Sequence, residues 1–290
     1  MNPAPSVILF TVLSGLGFGF LAFLSLDVLQ VSGFAAIVCW GIGYALAVGG
    51  LLASTLHLGN PQRALLAFTQ WRTSWLSREA WASVATLLAL TPVALSDWLG
   101  LGLPRVFGYG AALLCGVTVI CTAMIYTQIR AVPRWNHSLT PALFAAFAAA
   151  GGATLSGQVE VAVVLTLVLL ILLGLAFTFG DRQFASRGAT LAEATGLGAI
   201  GTPSVFEQPH TGGNYLLREM IHVVGRRHSI KLRRIALVLI GLAIPLLAFL
   251  PIHFGILLAT LSHLAGALVA RWLFFAEAEH VVGLYYGRRG

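Results

Sequence analysis

The run His57-Leu58-Gly59-Asn60-Pro61-Gln62-Arg63 closes one long apolar stretch and opens a basic loop rich in tryptophan. It gathers an imidazole, an amide and a guanidinium where a hydrophobic helix meets water. A lipid-soluble ligand with a polar head suits such a place, and a quinone is a ligand of that kind. A quinone carbonyl needs a hydrogen-bond donor, and quinol oxidation needs a base of moderate pKa; imidazole offers both. His57 also sits inside the apolar boundary, where a polar ring needs a partner. The loop beyond it, with Arg63, Trp71, Arg72, Trp75, Ser77, Arg78, Glu79 and Trp81, has a plainer reading as well. Tryptophan belongs at membrane interfaces, arginine there is a topology signal, and Gly59-Asn60-Pro61 then serves as a helix stop and turn.

A second polar cluster, His263, Arg271, Glu277, Glu279 and His280, falls in the last apolar run. With that run taken as a helix over Ile256–Val282, Arg271 lies roughly 18 Å from its end, near the membrane midplane. An unpaired arginine there costs at least ~2.5 kcal/mol, so it should face the bundle interior and find a partner. Glu277 and His280, three apart on one helix face, could pass a proton. They could equally belong to a buried ion pair that fixes helix packing.

Other chemistries are thinly represented. For a haem held by two histidines, His57 and His280 are the one tolerable pair. His253 and His263 lie towards the opposite face, and His137, His210, His222 and His228 fall in loops. Cys39, Cys115 and Cys121 sit within apolar runs and form no CxxC, so they offer neither an iron–sulfur centre nor a structural zinc. A transporter would be expected to show repeated halves with broken helices, and no convincing repeat is visible.

The elements that position these residues are membrane helices. Hydrophobic residues make up 58% of the chain, charged residues 9%, and the mean hydropathy is +0.88, which excludes an ordinary soluble domain. Apolar runs predict eight spans in a single polytopic domain, at about Val7–Leu29, Phe34–Leu56, Ala80–Leu95, Val106–Gln128, Leu139–Leu155, Val159–Phe179, Ile235–Leu250 and Ile256–Val282. Pro92 interrupts the third and Gly151-Gly152 the fifth. The lead-in before the first span carries no Lys or Arg, so that span is expected to be retained rather than cleaved as a signal. Eight spans put both termini and the loops after spans two, four and six on one side, which then holds fifteen of the seventeen Lys and Arg residues. That side should be cytoplasmic, and the net charge of +7 reflects topology and lipid headgroups rather than nucleic acid.

One long loop remains, Asp181–Arg234. Its first part, Gly188 to Pro209, is rich in Gly, Ala and Thr and is expected to wander. From Asn214 the pattern Tyr215-Leu216-Leu217-Arg218-Glu219-Met220-Ile221 predicts an amphipathic helix, stopped at Gly225 and followed by Arg226 and Arg227. Such a helix either lies in the membrane interface or docks a partner subunit, and the two roles are compatible.

Taken together, these residues resemble the membrane-anchor subunit family of the dimethyl sulfoxide reductase type. The likeness rests on His57-Leu58-Gly59-Asn60-Pro61-Gln62-Arg63-Ala64, then Leu76-Ser77-Arg78-Glu79 opening the third span. Weaker matches are Val132-Pro133-Arg134-Trp135 with Thr140-Pro141, and Arg271 with Phe274-Phe275. The resemblance implies a haem-free, quinone-reactive anchor that itself lacks a catalytic centre. Its partners would be an iron–sulfur subunit and a molybdopterin catalytic subunit, which would hold those cofactors. His57 carries over as the quinone-site histidine, with Asn60, Arg63, Ser77, Arg78 and Glu79 as the surrounding quinone-binding set. Glu277, His280 and Arg271 are the candidates for proton transfer, and Tyr215, Leu216, Met220, Arg226 and Arg227 for partner docking. Two segments, Asn214–Met220 and Arg271–His280, are most similar to anchors of cytoplasmic sulfite-oxidising complexes. The long sixth loop departs from the shorter connection of the reductase anchor itself.

Overall fold

The computed structural model describes residues 3–57, 60–188, 190–207 and 228–286, and among these the chain is helical with no strand. The helices are α1 (Pro5–Ser25), α2 (Gly33–Ala53), α3 (Trp75–Leu99), α4 (Arg105–Thr127), α5 (Leu139–Leu155), α6 (Val159–Ser186), a short α7 (Leu191–Thr195), α8 (Ser229–Phe249) and α9 (Ile252–Ala276). Short 3-10 turns cover Ser54–His57, Pro61–Phe68 and Val281–Tyr286. Among the described residues seven helices are long and apolar enough to cross a membrane; α5 is apolar but only 17 residues long.

The bundle is arranged around α1, which packs on α2, α4, α5 and α9. In α1, 67% of the apolar stretch is buried, against 22% in α6 and in α8, so the latter two form its outer wall. Apolar burial does not separate helix–helix contact from lipid contact, so close packing and polar links must select the neighbours. A Cβ on Gly19 would lie 1.9 Å from the Ala148 carbonyl oxygen, and one on Gly152 would lie 2.4 Å from the Gly19 carbonyl carbon. The pair Gly151-Gly152, an interruption in the sequence pattern, is thus where the α1 and α5 backbones touch. Pro92 does not end α3 either. Near it the Tyr44 hydroxyl donates to the Leu87 carbonyl at 2.9 Å, tying α2 to the proline-bearing turn. Thr86 and Thr118 hydroxyls join α3 to α4 at 2.8 Å, and Ser262 donates to Leu239 O at 2.7 Å between α9 and α8.

Side-chain links identify the two ends of the bundle. Asp27 pairs with Arg105 at 2.9 Å, Trp40 donates to Asp97 at 2.9 Å, and Gln158 donates to Val28 O at 2.9 Å. These bring the close of α1 and α3 to the start of α2, α4 and α6. At the other, basic end, residues from the α4–α5 connection, α6, α8 and the close of α9 meet in one ion cluster, so α5 runs from one end to the other.

Several boundaries differ from the sequence expectation. The sixth helix continues through Asp181 and Arg182 to Ser186, and the eighth begins at Ser229, so ionised residues sit within helices rather than in a loop. The last helix starts at Ile252, directly after Pro251, and stops at Ala276. Part of the stretch expected to wander is ordered: Thr190 accepts the Glu193 N–H at 3.2 Å as the cap of α7, and the Tyr285 hydroxyl donates to Ala194 O at 3.0 Å. The amphipathic helix predicted around Tyr215, Leu216, Met220, Arg226 and Arg227 lies outside the described residues.

Candidate functional site

The start of α3 carries Ser77, Arg78 and Glu79 of the predicted quinone set. The Pro61–Phe68 turn lies against α3, where Trp81 Nε1 donates to Phe68 O at 3.0 Å and the two rings meet edge to face at 5.3 Å. Arg78 fixes the rest of the loop: Nε donates to Trp71 O at 3.0 Å, Nη2 to Arg72 O at 2.7 Å, and its guanidinium lies 4.3 Å over Trp75. Asn60 and Arg63 are exposed at the head of that turn. His57 is the last residue of Ser54–His57, which contacts the Pro61–Phe68 turn; its ring lies outside the described side chains.

Ser77 and Glu79 differ from these surface residues in being buried, at 1% and 5% exposure. Among the described residues the Ser77 hydroxyl has no hydrogen-bond partner. Glu79 Oε1 accepts from the Thr122 hydroxyl of α4 at 3.2 Å. That hydroxyl also stands 3.1 Å from Thr118 O, and its single proton serves one acceptor or the other. A buried carboxylate held by one shared proton and a buried hydroxyl with none are an unsaturated pair, able to bind a polar head or exchange a proton. One residue before Thr122, Cys121 borders an apolar groove of about 610 Å³ that follows α4 to Ala112 between α1 and α5, with Trp75 on its edge.

The α9 cluster is arranged differently from its predicted form. Because α9 ends at Ala276, Glu277 and His280 do not share a helix face. Glu277 turns instead to two arginines: Oε2 accepts from Arg134 Nη1 at 3.0 Å and Oε1 from Arg233 Nε at 2.7 Å. Arg233 reaches on to both oxygens of Asp181, at 2.7 and 2.6 Å, and Arg134 also bonds Asp181. Two carboxylates and two guanidinium groups thus meet in one ion cluster, buried at Glu277 and half-exposed at Asp181, with Glu279 on its border. His280 is half-buried, and its Nδ1 accepts the Val282 N–H at 3.1 Å. Burial lowers its pKa, so the neutral ring is the form this turn holds.

Arg271 is likewise displaced from its expected depth. Five residues from the end of α9, it lies only ~7.5 Å inside, while His263 takes the mid-depth position. Arg271 does face the interior, at 6% exposure, but meets ring faces rather than a carboxylate: Phe144 at 3.6 Å, Phe274 at 5.4 Å and Phe147 at 5.8 Å. Trp135 stacks on Phe274 with centroids 5.3 Å apart and donates its Nε1–H to Phe274 O at 2.8 Å. The weaker sequence matches, Val132–Trp135 and Arg271 with Phe274-Phe275, therefore form one aromatic and ionic core.

Sequence reasoning missed Thr122, Asp181, Arg233 and the depth of His263. Asp181 carried a usable signal, as one of only ten acidic residues and placed at the end of a membrane-length helix. Thr122 carried none, since a threonine in an apolar helix is ordinary. Among the described residues no three His, Cys, Asp or Glu side chains gather as a metal-ion site.

Comparison with known proteins places this geometry in a family. No solved structure matches the chain. The C subunit of the sulfite dehydrogenase of Allochromatium vinosum is 34% identical over an alignment of 327 residues that covers 99% of each chain. The family model described as DMSO reductase anchor subunit (DmsC) matches residues 1–287. With a family model matching residues 1–287 and a relative aligned over 99% of its length, the chain belongs to the DMSO reductase anchor subunit family.

Proposed function

We propose that this chain is the quinone-reactive anchor of a three-subunit oxidoreductase whose other subunits carry molybdopterin and iron–sulfur clusters. It crosses a bacterial inner membrane eight times, with both termini and the basic end cytoplasmic. Electrons pass between the quinone pool and the nearest cluster of the iron–sulfur subunit, seated on the basic end, where the segment with Tyr215, Leu216, Met220, Arg226 and Arg227 supplies docking contacts. Quinone reduction consumes two electrons and two protons. His57 hydrogen-bonds a quinone oxygen and exchanges a proton with it, while Glu79 is the nearby buried acid that resupplies it. Ser77 offers its free hydroxyl to the head, Asn60, Arg63 and Arg78 shape the mouth, and the groove along α4 accommodates the isoprenoid tail. No haem enters this scheme.

The observation that carries the reading is Glu79, a carboxylate buried near the start of α3 that, among the described residues, accepts from a single hydroxyl. Sulfite is the favoured electron source, because the relative named for sulfite dehydrogenase aligns end to end. The family description favours a second reading, in which quinol is oxidised to serve a terminal reductase.

The test begins with a tagged complex extracted in mild detergent, analysed for protein partners, molybdenum and iron, then assayed with sulfite and with dimethyl sulfoxide. The His57→Ala complex should assemble and retain dye-linked activity while quinone-linked turnover falls about 100-fold or more. Unchanged quinone turnover would remove the assignment, and failed assembly would make His57 structural. A Soret band in the reduced complex, traced to this subunit, would reinstate a haem.

A further inference from the structure

Two small pockets meet at Arg271. The smaller, about 20 Å³, lies between α1, α4, α5 and α9, where Thr11, Ser14, Thr122 and His263 line it. The larger, about 60 Å³, lies between α5, α6 and α9 and reaches Arg134 and Glu277 at the basic end. Phe144, Phe147 and Arg271 border both, so the guanidinium stands in the partition.

Size decides what these spaces accept. One water needs roughly 10–15 Å³, whereas a cavity that takes benzene is about 150 Å³. The smaller space therefore suits a single water and the larger a short chain of them; neither admits a quinone ring. The lining is polar at the right points. Among the described residues the Arg271 guanidinium has ring contacts and no hydrogen-bond acceptor, although it carries five N–H donors. His263 is 2% exposed, and among the described residues its Nδ1 has no partner. Gly151 makes room for this ring, since a Cβ there would lie 2.7 Å from Nε2. Thr11 and Ser14 donate to carbonyls of their own helix, Val7 O at 3.0 Å and Phe10 O at 2.6 Å, which leaves their oxygens open as acceptors. Groups this polar at this depth require partners, and water is the partner that fits.

We propose that Arg271 and His263 hold a chain of ordered water that runs from the Arg134–Glu277 cluster to Thr122. This chain gives Glu79 proton exchange with solvent at the basic end. Arg271 anchors the water through its donors and, being always charged, is not a carrier. Thr122 is the last link, because it lines the smaller cavity and shares its proton with Glu79. The water itself is independent of the quinone reading, while its use in turnover rests on it.

Hydroxyl-radical footprinting of the intact complex reads the water directly. Phe144 and His263 should be labelled despite their burial, whereas the equally buried Phe20 should not. Arg271→Met should abolish the labelling at Phe144. Thr122→Val, which keeps shape and removes the last link, should lower quinone-linked turnover about tenfold and raise its solvent deuterium isotope effect, with dye-linked activity unchanged. Unlabelled rings overturn the water chain. Labelled rings with normal turnover and isotope effect in Thr122→Val overturn its role in proton exchange. If Glu79→Gln itself leaves quinone turnover unchanged, the quinone reading fails while the labelling still reports on the water.

Discussion

The two polar regions of this bundle are built in opposite ways. Around Glu79 the participating residues come mainly from one continuous stretch, yet among the described residues their hydrogen bonding is incomplete: Ser77 has no partner and Glu79 has one shared proton. Around Glu277 the residues come from four separate segments, and both carboxylate oxygens are filled by arginines. Buried polar groups are expensive unless satisfied, so a satisfied cluster serves the scaffold and an unsatisfied one awaits something from outside. Burial alone does not separate them, since Glu79 and Glu277 are 5% and 6% exposed.

That contrast breaks if the two acids respond alike to substitution. Glu277→Ala takes the buried carboxylate from Arg134 and Arg233, which keep the half-exposed Asp181, and should destabilise the bundle by about 3 kcal/mol. On heating the detergent-solubilised complex, quinone-linked and dye-linked activities should then disappear together, at a lower temperature than in the parent. Glu79→Gln should do the reverse, keeping the thermal transition and dye-linked activity while quinone-linked turnover falls about 100-fold. A shifted melting curve for Glu79→Gln with no selective loss of turnover would erase the distinction.

Smaller changes sharpen it. Gly152→Ala forces a Cβ against the Gly19 backbone and should cost about 1–3 kcal/mol, measured as lost yield and a lower transition with turnover per assembled complex preserved. Arg78→Lys gives up the paired carbonyl contacts and the stacking on Trp75, and should raise the KM for quinone through loosening worth about 1 kcal/mol, with kcat nearly unchanged. The smallest effect concerns His280. Its pKa is lowered in the fold by burial, so the stability it lends is full above the ordinary value near ~6.5 and is lost as pH falls below it. Protease access to the 281–286 turn should therefore rise as the medium is acidified from neutrality, and His280→Gln should flatten that dependence.

How far each region is legible in the chain follows from the same contrast. The Glu79 region is legible because its chemistry is local: an apolar run, a turn and a basic loop stand next to one another. The Glu277 region is misjudged in register by the apolar pattern, which carries the last span on to Val282. On a helix of that extent Glu277 and His280 are neighbours, and Arg271 lies at mid-depth. Attraction between Glu277 and arginines from two distant segments accompanies an earlier stop at Ala276, which moves Arg271 outward and leaves His263 at the centre.

The sequence by itself determined the class of molecule, the apolar helices and the family, because length, hydropathy and contiguous motifs are properties of the chain alone. Which polar groups would be satisfied was decided only in the tertiary structure. Thr122 had to come beside Glu79, Asp181 beside two arginines, and the Gly151-Gly152 break had to become a contact. Hydrogen bonds and close backbone approaches between distant segments depend on how helices cross, and no local pattern encodes a crossing.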